Sequence, residues 1–194
     1  PVVGEFNVYN LLAVISGLVA SGFSIQKVVK QVSHISQVPG RMERLGTKNT
    51  PQIFIDYAHT PDALRKVLVT LKDKTDGKLI CVFGCGGDRD KGKRKEMAKA
   101  ASDIADTNFI TSDNPRSENP KKIISEISNS MKGPYKIEID RHKAILKAIE
   151  QAKKQDIILI AGKGHETYQE INGVRHPFSD QRYVRKALKN YKTN

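Results

Sequence analysis

The sequence predicts a Rossmann-like α/β fold: a mostly parallel sheet with helices on both faces, preceded by a short helical segment. From about residue 50, short apolar runs rich in β-branched residues alternate with stretches of helical periodicity, as in strand-helix-strand units. The stretch Asp156 to Ala161 is apolar after its first residue, as a parallel strand covered on both faces should be. Composition agrees: 194 residues can bury one full domain plus an appendage, and 38% hydrophobic with 28% charged residues is the balance of a soluble globular protein.

Residues 1–46 read as helical. Asn10 to Ala20 is a short apolar helix stopped at Gly22. Ser24 caps a second, Ile25 to Ile35, with Ile25, Val28, Val29 and Val32 on one face, and Pro39-Gly40 ends it. Two such helices cannot bury a core, so they read as the tail of a preceding domain. Ile53-Phe54-Ile55 is then a strand, and Thr60-Pro61-Asp62 puts a cap and a first-turn proline at the start of a helix to about Lys72. Lys78 to Phe83 is a strand, followed by a glycine loop and a helix from about Lys93 to Ile104. Asn108 to Thr111 is a strand, Pro120 starts a helix to about Met131, Tyr135 to Ile139 is a strand, and Asp140 caps a helix to about Lys154. After the strand ending at Ala161, Val174 to Phe178 is expected at a sheet edge, and Ser179-Asp180 caps the last helix, to about Tyr191. There are no internal repeats.

Bulk properties narrow the function classes. No apolar run approaches the ~18 residues that cross a bilayer. Leu11 to Val19 is short and lacks the basic leader of a signal peptide. The net charge of +12 is carried by scattered lysines, many on helix faces (Lys66, Lys99, Lys147, Lys153, Lys189), without the aromatic interleaving or helix-turn-helix pattern of a nucleic-acid binder. It reads as solvated surface. Cys81 and Cys85 have no second Cys/His pair to complete a metal site and read as reduced thiols, which points to the cytoplasm. The chain starts at Pro1 rather than Met, so a longer parent protein is expected.

Three loops could carry chemistry. Gly84-Cys85-Gly86-Gly87-Asp88-Arg89 follows a strand, but its sixth residue is Arg89 where a dinucleotide fingerprint needs glycine. Gly87 to Lys93 approaches a phosphate-binding loop but is followed by Arg94 where magnesium needs Ser or Thr. What remains is a loop crowded with Arg89, Lys91, Lys93 and Arg94 at a helix start, where cations oppose the macrodipole and an anionic ligand would be welcome. Asp113-Asn114-Pro115-Arg116 and Gly162-Lys163-Gly164-His165-Glu166 each follow a strand. Taken singly, either is explained by an ordinary turn. All three loops, however, leave the carboxyl ends of strands, which share one side of a parallel sheet, so they can converge. A fixed amide, a guanidinium and a carboxylate together suit a ligand carrying both carboxylate and ammonium. Asp56 and His59, at a further strand end, are open to either ligand or core roles.

In this order, Gly40-Arg41-Met42-Glu43, Asp56 to Asp62, Gly84 to Arg94, Asp113 to Arg116 and Gly162 to Glu166 resemble the Mur ligases, and among them the form that adds the third residue of the peptidoglycan stem peptide. The resemblance covers essentially the whole chain. It implies residues 1–46 as the tail of the central ATPase domain and 47–194 as the C-terminal, amino-acid-binding domain. It also implies that ATP phosphorylates the D-glutamate carboxylate of UDP-N-acetylmuramoyl-L-alanyl-D-glutamate and that an amine attacks the acyl phosphate. By the same resemblance Arg89, Asp113, Asn114, Arg116, Gly162 and Glu166 would hold meso-diaminopimelate, whose second carboxylate suits Arg116. Arg41, Asp56, His59 and one or both of Asn7 and Asn10 would meet ATP. No catalytic group and no metal ligand is expected within this chain. Magnesium, the glycine-rich ATP loop and the site for the UDP moiety would lie in domains that this chain lacks, so the chain alone is expected to be inactive and monomeric, with neither nucleic acid nor membrane as partner. Two other readings compete: a non-catalytic module for a small zwitterionic amino acid, and a basic nucleic-acid-binding domain.

Overall fold

The structure is a computed structural model that describes residues 4–32 and 34–191, with only the backbone for residues 5 and 6. It divides into two compact units, Pro1–Val38 and Pro39–Asn194.

The first unit contains α1 (Glu5–Ala20) and α2 (Ile25–Val32). α1 begins five residues before the predicted start. It stops as expected: Gly22 takes the left-handed conformation (φ 91°), and the Phe23 amide closes back on the Leu18 carbonyl at 3.1 Å. At the start of α2 the Ser24 hydroxyl donates to Gln26 Oε1 (2.7 Å). The apolar face of α2 is rotated from the expected one. Val28 is buried and Val32 lines a groove against α1, whereas Ile25 and Val29 are half exposed.

The second unit holds β1 (Glu43–Leu45), β2 (Gln52–Asp56), α3 (Pro61–Lys72), β3 (Leu79–Phe83), α4 (Gly92–Ile104), β4 (Thr107–Ile110), α5 (Pro120–Ser128), β5 (Tyr135–Ile137), α6 (Arg141–Gln151), β6 (Ile157–Ala161), β7 (Tyr168–Ile171), β8 (Val174–Pro177) and α7 (Asp180–Lys189). The main sheet runs β1-β2-β6-β3-β4-β5. Only β1 is antiparallel, to β2. One face of the sheet (Ile53, Ile55, Ile80, Val82, Phe109, Ile158, Ile160) packs on Ala144, Ile145, Ala148 and Ile149 of α6 and Val184 and Ala187 of α7. α3, α4 and α5 lie side by side on the other face. The α/β fold with helices on both faces is therefore as predicted. Three elements differ: β1, β7, which was not predicted, and the strand Val174–Pro177. β1 replaces part of the expected helical segment. The strand Val174–Pro177 does not edge the main sheet but pairs with β7 in a separate hairpin. Its turn, Asn172-Gly173, has φ values of 50° and 75°, as a two-residue hairpin turn of this hand requires.

Register puts the site on one edge. Asp56 pairs with Ala161, Val82 with Ile160, and Phe83 with Ile110. The loops after β2, β3, β4 and β6 therefore all emerge at the carboxyl edge of the sheet, where a parallel sheet places its ligands.

A mixed-charge cleft at the carboxyl edge of the sheet

These loops enclose a cleft of about 350 Å³. Arg89, Asp113, Asn114, Arg116, Gly162 and Glu166 all line it, as do Tyr57, His59 and Cys85. The charged lining is balanced, with Arg89, Lys93 and Arg116 against Asp90, Asp113 and Glu166.

The loops interlock through their backbones. The Gly87 amide donates to the Asn114 carbonyl (2.9 Å), and Arg116 Nη1 donates to the Gly87 carbonyl (2.7 Å). Asp88, at φ 53°, accepts from the Ser117 amide (3.1 Å) and hydroxyl (2.6 Å). Gly87 is required by this approach, since a Cβ there would meet the Pro115 carbonyl oxygen at 2.0 Å. Gly162 is required twice over: its φ is 115°, and a Cβ would lie 2.6 Å from Asp113 Oδ2.

The Asp113–Arg116 turn is completed by the β7–β8 hairpin, which sequence reasoning did not connect to it. Arg116, itself at φ 50°, donates its amide to the Glu170 carbonyl (3.0 Å) and accepts from the Asn172 amide (2.7 Å). Gln169 Nε2 donates to the Asp113 carbonyl (2.6 Å), and the Glu170 amide to Asn114 Oδ1 (3.0 Å). Glu170 Oε2 also stands 3.7 Å from Arg116 Nε. Asn172-Gly173 between Ile171 and Val174 is the sequence signal that could have revealed β7.

Asn114 and Glu166 meet directly: Asn114 Nδ2 donates to Glu166 Oε2 at 2.9 Å. Burial alone would raise the Glu166 pKa, but the bonds from Lys163 and Asn114 outweigh it and hold the carboxyl below its usual range. Cys85 is the opposite case. Burial, aided by the charge of Asp113, pushes its thiol up to about 12, so it is protonated and a poor nucleophile at neutral pH. Cys81 is buried and both thiols are free.

The basic loop needs one correction. Arg94, grouped on sequence with Arg89, Lys91 and Lys93 as a cation for an anionic ligand, is buried and committed. Nη2 donates to Glu118 (2.8 Å) and Nη1 to Glu126 (2.5 Å). Arg89 is exposed and bonds to the Asp88 carbonyl (3.0 Å), leaving it and Lys93 as the loop's cations at the cleft.

The residues expected near ATP divide. Both oxygens of Asp56 are used on the backbone, accepting from the amides of Met42 (2.8 Å) and Ala58 (2.8 Å). Burial outweighs those bonds and raises its pKa. Of the two roles left open for Asp56, these bonds describe the structural one. Arg41 and His59 are exposed. The Arg41 guanidinium lies 4.8 Å from the Tyr57 ring centroid, and His59 Nδ1 is 2.7 Å from the Tyr57 carbonyl. Gly40 packs so closely on the glycine loop that a Cβ would fall 2.1 Å from the His165 amide nitrogen, which ties Gly40–Glu43 to Gly162–Glu166. Asn7 and Asn10 belong to the first unit, where Asn10 Nδ2 reaches Asn7 Oδ1 at 3.4 Å.

Comparison with known proteins adds the following. The chain is 48% identical over 200 residues to the UDP-N-acetylmuramoyl-L-alanyl-D-glutamate–2,6-diaminopimelate ligase of Nitrosomonas europaea, an alignment covering 96% of this chain and 38% of the relative. A solved structure of a UDP-N-acetylmuramoyl-L-alanyl-D-glutamate–2,6-diaminopimelate ligase matches with a TM-score of 0.77 at 46% identity, over 98% of this chain and 39% of that one. The UDP-N-acetylmuramate–alanine ligase of Thermotoga maritima shares the fold at 21% identity, with a TM-score of 0.66 over 98% of this chain and 38% of that one. The chain thus spans 38% of the length of its first curated relative. Residues 40–164 match the family model described as Mur ligase, glutamate ligase domain, and together with these relatives the match places the chain in the Mur ligase family.

Proposed function

We propose that the full-length protein is an ATP-dependent ligase that adds meso-diaminopimelate to UDP-N-acetylmuramoyl-L-alanyl-D-glutamate in cytoplasmic peptidoglycan synthesis, and that this chain supplies the amino-acid site. The observation that carries the reading is the cleft, in which a guanidinium, an amide and a carboxylate converge within a balanced set of charges. meso-Diaminopimelate bears a carboxylate and an ammonium at each end. Arg116, its guanidinium fixed by the Gly87 carbonyl, pairs with the distal carboxylate through a charge-assisted bond, and Glu166 takes the distal ammonium. Arg89, Asp113, Asn114 and Gly162 complete the pocket. Lysine lacks the distal carboxylate and would leave Arg116 with only the Gly87 carbonyl and the more distant Glu170 carboxylate; sites built around a polar partner reject the analogue lacking it by up to ~10⁴–10⁵-fold.

In this reading ATP phosphorylates the D-glutamate carboxylate. The proximal amine of the bound amino acid attacks the acyl phosphate, the amide forms and phosphate leaves. Arg41 and His59, exposed beside Tyr57, face the nucleotide. Asp56 serves it indirectly by holding the Met42 amide. Asn7 and Asn10 are assigned to ATP contact by the resemblance alone. No group of three or more His, Cys, Asp or Glu side chains able to hold a metal occurs among the described residues, and magnesium is assigned to the rest of the enzyme. Residues 1–46 are assigned to the end of the ATP-binding domain and 47–194 to the amino-acid-binding domain, and the chain by itself is inactive.

Steady-state kinetics of Arg116→Ala and Arg116→Lys in the full-length enzyme test the reading. Loss of a charged hydrogen bond worth ~1.5–3 kcal/mol raises the diaminopimelate KM by roughly tenfold or more. An unchanged KM would sink the assignment.

A further inference from the structure

Lys163 has no role in the reading above, yet its environment calls for one. Lysine is among the residues least often fully buried, and Lys163 is 0% exposed within the loop that carries Gly162 and Glu166. An ammonium withdrawn from water needs partners. Nζ of Lys163 donates to Asn114 Oδ1 at 2.8 Å and to Glu166 Oε2 at 2.9 Å, and stands 5.7 Å from the Tyr168 ring centroid.

Two consequences follow. An ammonium can only donate, so it holds the Asn114 amide with its oxygen inward. The Glu170 amide, 3.0 Å from the same oxygen, reinforces that orientation. Asn114 Nδ2 is thereby turned to Glu166. In addition, Glu166 Oε2 receives both the lysine and the asparagine bonds, while Oε1 receives neither, on a residue that lines the cleft. Lysine and glutamate within the loop cancel in charge, and the oxygen left over is the one a ligand cation can use.

Building on the amino-acid site proposed above, we infer that Lys163 is a positioning residue for that site: it orients Asn114 and occupies one oxygen of Glu166, so that the other oxygen receives the ammonium of the incoming amino acid. Lys163 touches no substrate in this scheme and acts through Asn114 and Glu166.

The test is a double-mutant cycle in the full-length enzyme, read as KM for meso-diaminopimelate, KM for ATP and kcat, with Lys163→Met, Glu166→Gln and the double variant. Lys163→Met raises the diaminopimelate KM by roughly tenfold or more, as loss of a charged hydrogen bond does, and leaves the ATP KM unchanged. In the Glu166→Gln background the same substitution changes the diaminopimelate KM by less than about threefold, because residues acting through one another are not additive. A lysine that merely filled the core would multiply KM or kcat equally in both backgrounds, and that additivity overturns the inference. Should Lys163→Met fail to fold, the double variant, which removes both charges together, is compared with Glu166→Gln alone. Equal KM values support the inference, and a further large rise overturns it. Wild-type enzyme that ligates no diaminopimelate overturns the functional reading and this inference with it. Wild-type enzyme that ligates diaminopimelate, while Lys163→Met keeps its KM, overturns this inference alone.

Discussion

Removing the acid beneath the glycine loop should unfold the domain at a markedly lower temperature. Arg141 and Asp180 form a pair with both side chains 0% exposed. Arg141 Nε and Nη2 donate to the two Asp180 oxygens at 2.9 and 2.8 Å, and Nη2 also reaches the Ala161 carbonyl at 3.0 Å. Burial alone would lower the Arg141 pKa, and the Asp180 charge reverses that. In Asp180→Ala the guanidinium remains, dry, with the Ala161 carbonyl as its remaining acceptor. Breaking a buried pair from one side costs ~3–5 kcal/mol. At ~2–4 °C per kcal/mol for a domain of this size, the midpoint falls by about 6–20 °C. Calorimetry on this chain reads the shift, and urea unfolding checks that the midpoint moves without a change of slope. Arg141→Met/Asp180→Leu removes both charges and should return to within ~1 kcal/mol of the parent or exceed it, as apolar replacements of buried pairs do. The reasoning is refuted if Asp180→Ala melts with the parent, or if the double variant is as damaged as the single.

Further outcomes are expected from the same geometry. Gly87→Ala drives a methyl to 2.0 Å from the Pro115 carbonyl, so the loop must part from Asn114; the diaminopimelate KM should rise at least as much as in Arg116→Ala, with the ATP KM unchanged. Glu118 is held down to about 2 by Arg94 and the Asp88 amide, against an ordinary value of 4.5. Its folded pKa is depressed, so its contribution is complete above about pH 4.5 and is lost as pH falls toward 2. Glu118→Gln should therefore flatten the stability-versus-pH profile inside that window and nowhere above it, which urea titrations across the window would measure.

The sequence was most legible where local chemistry decides the structure. Thr60, Asp140 and Ser179 cap their helices through side-chain oxygens, accepting from Ala63 (3.3 Å), Lys143 (3.2 Å) and Arg182 (3.3 Å) as their positions predict. The central parallel strands β2, β3 and β6 were legible because their short runs are almost wholly apolar and rich in β-branched residues. Helix ends were overrun at Ile35, Met131 and Lys154, because the closing residues form tighter turns, with the Ile35 amide reaching Val32, the Met131 amide Ser128 and the Asp156 amide Lys153. β1 and β7 were missed since Glu43-Arg44-Leu45 and Tyr168-Gln169-Glu170-Ile171 are too polar to read as strands. Their places are set by partners distant in sequence. The site residues Asp113 to Arg116 and Gly162 to Glu166 were found through their place after strands. The burial of Arg94 and Lys163 was not legible, because a cation is assigned to solvent until the acids that answer it are known, and those lie on other elements or loops.

The illegible residues share a design. Three buried cations support the loops around the cleft: Arg94, with Nη2 3.5 Å from the Gly86 carbonyl; Lys163, between Asn114 and Glu166; and Arg141, on the Ala161 carbonyl. Such pairs are poor sources of stability, and two of these side chains keep an unpartnered nitrogen, Arg94 Nε and Arg141 Nη1. What they do specify is direction. A guanidinium or ammonium accepts nothing, so every carbonyl, amide or carboxylate around it must present an oxygen. That turns the Asn114 NH2 onto Glu166 and leaves the second oxygen of Glu166 disposed for a ligand. The double variant Arg141→Met/Asp180→Leu separates the two contributions. Its melting temperature is retained, but the Ala161 carbonyl has lost its donor immediately before Gly162, so in the full-length enzyme its diaminopimelate KM should rise severalfold. A variant that kept both its stability and its KM would show that the buried cation under this loop does not set the loop's geometry.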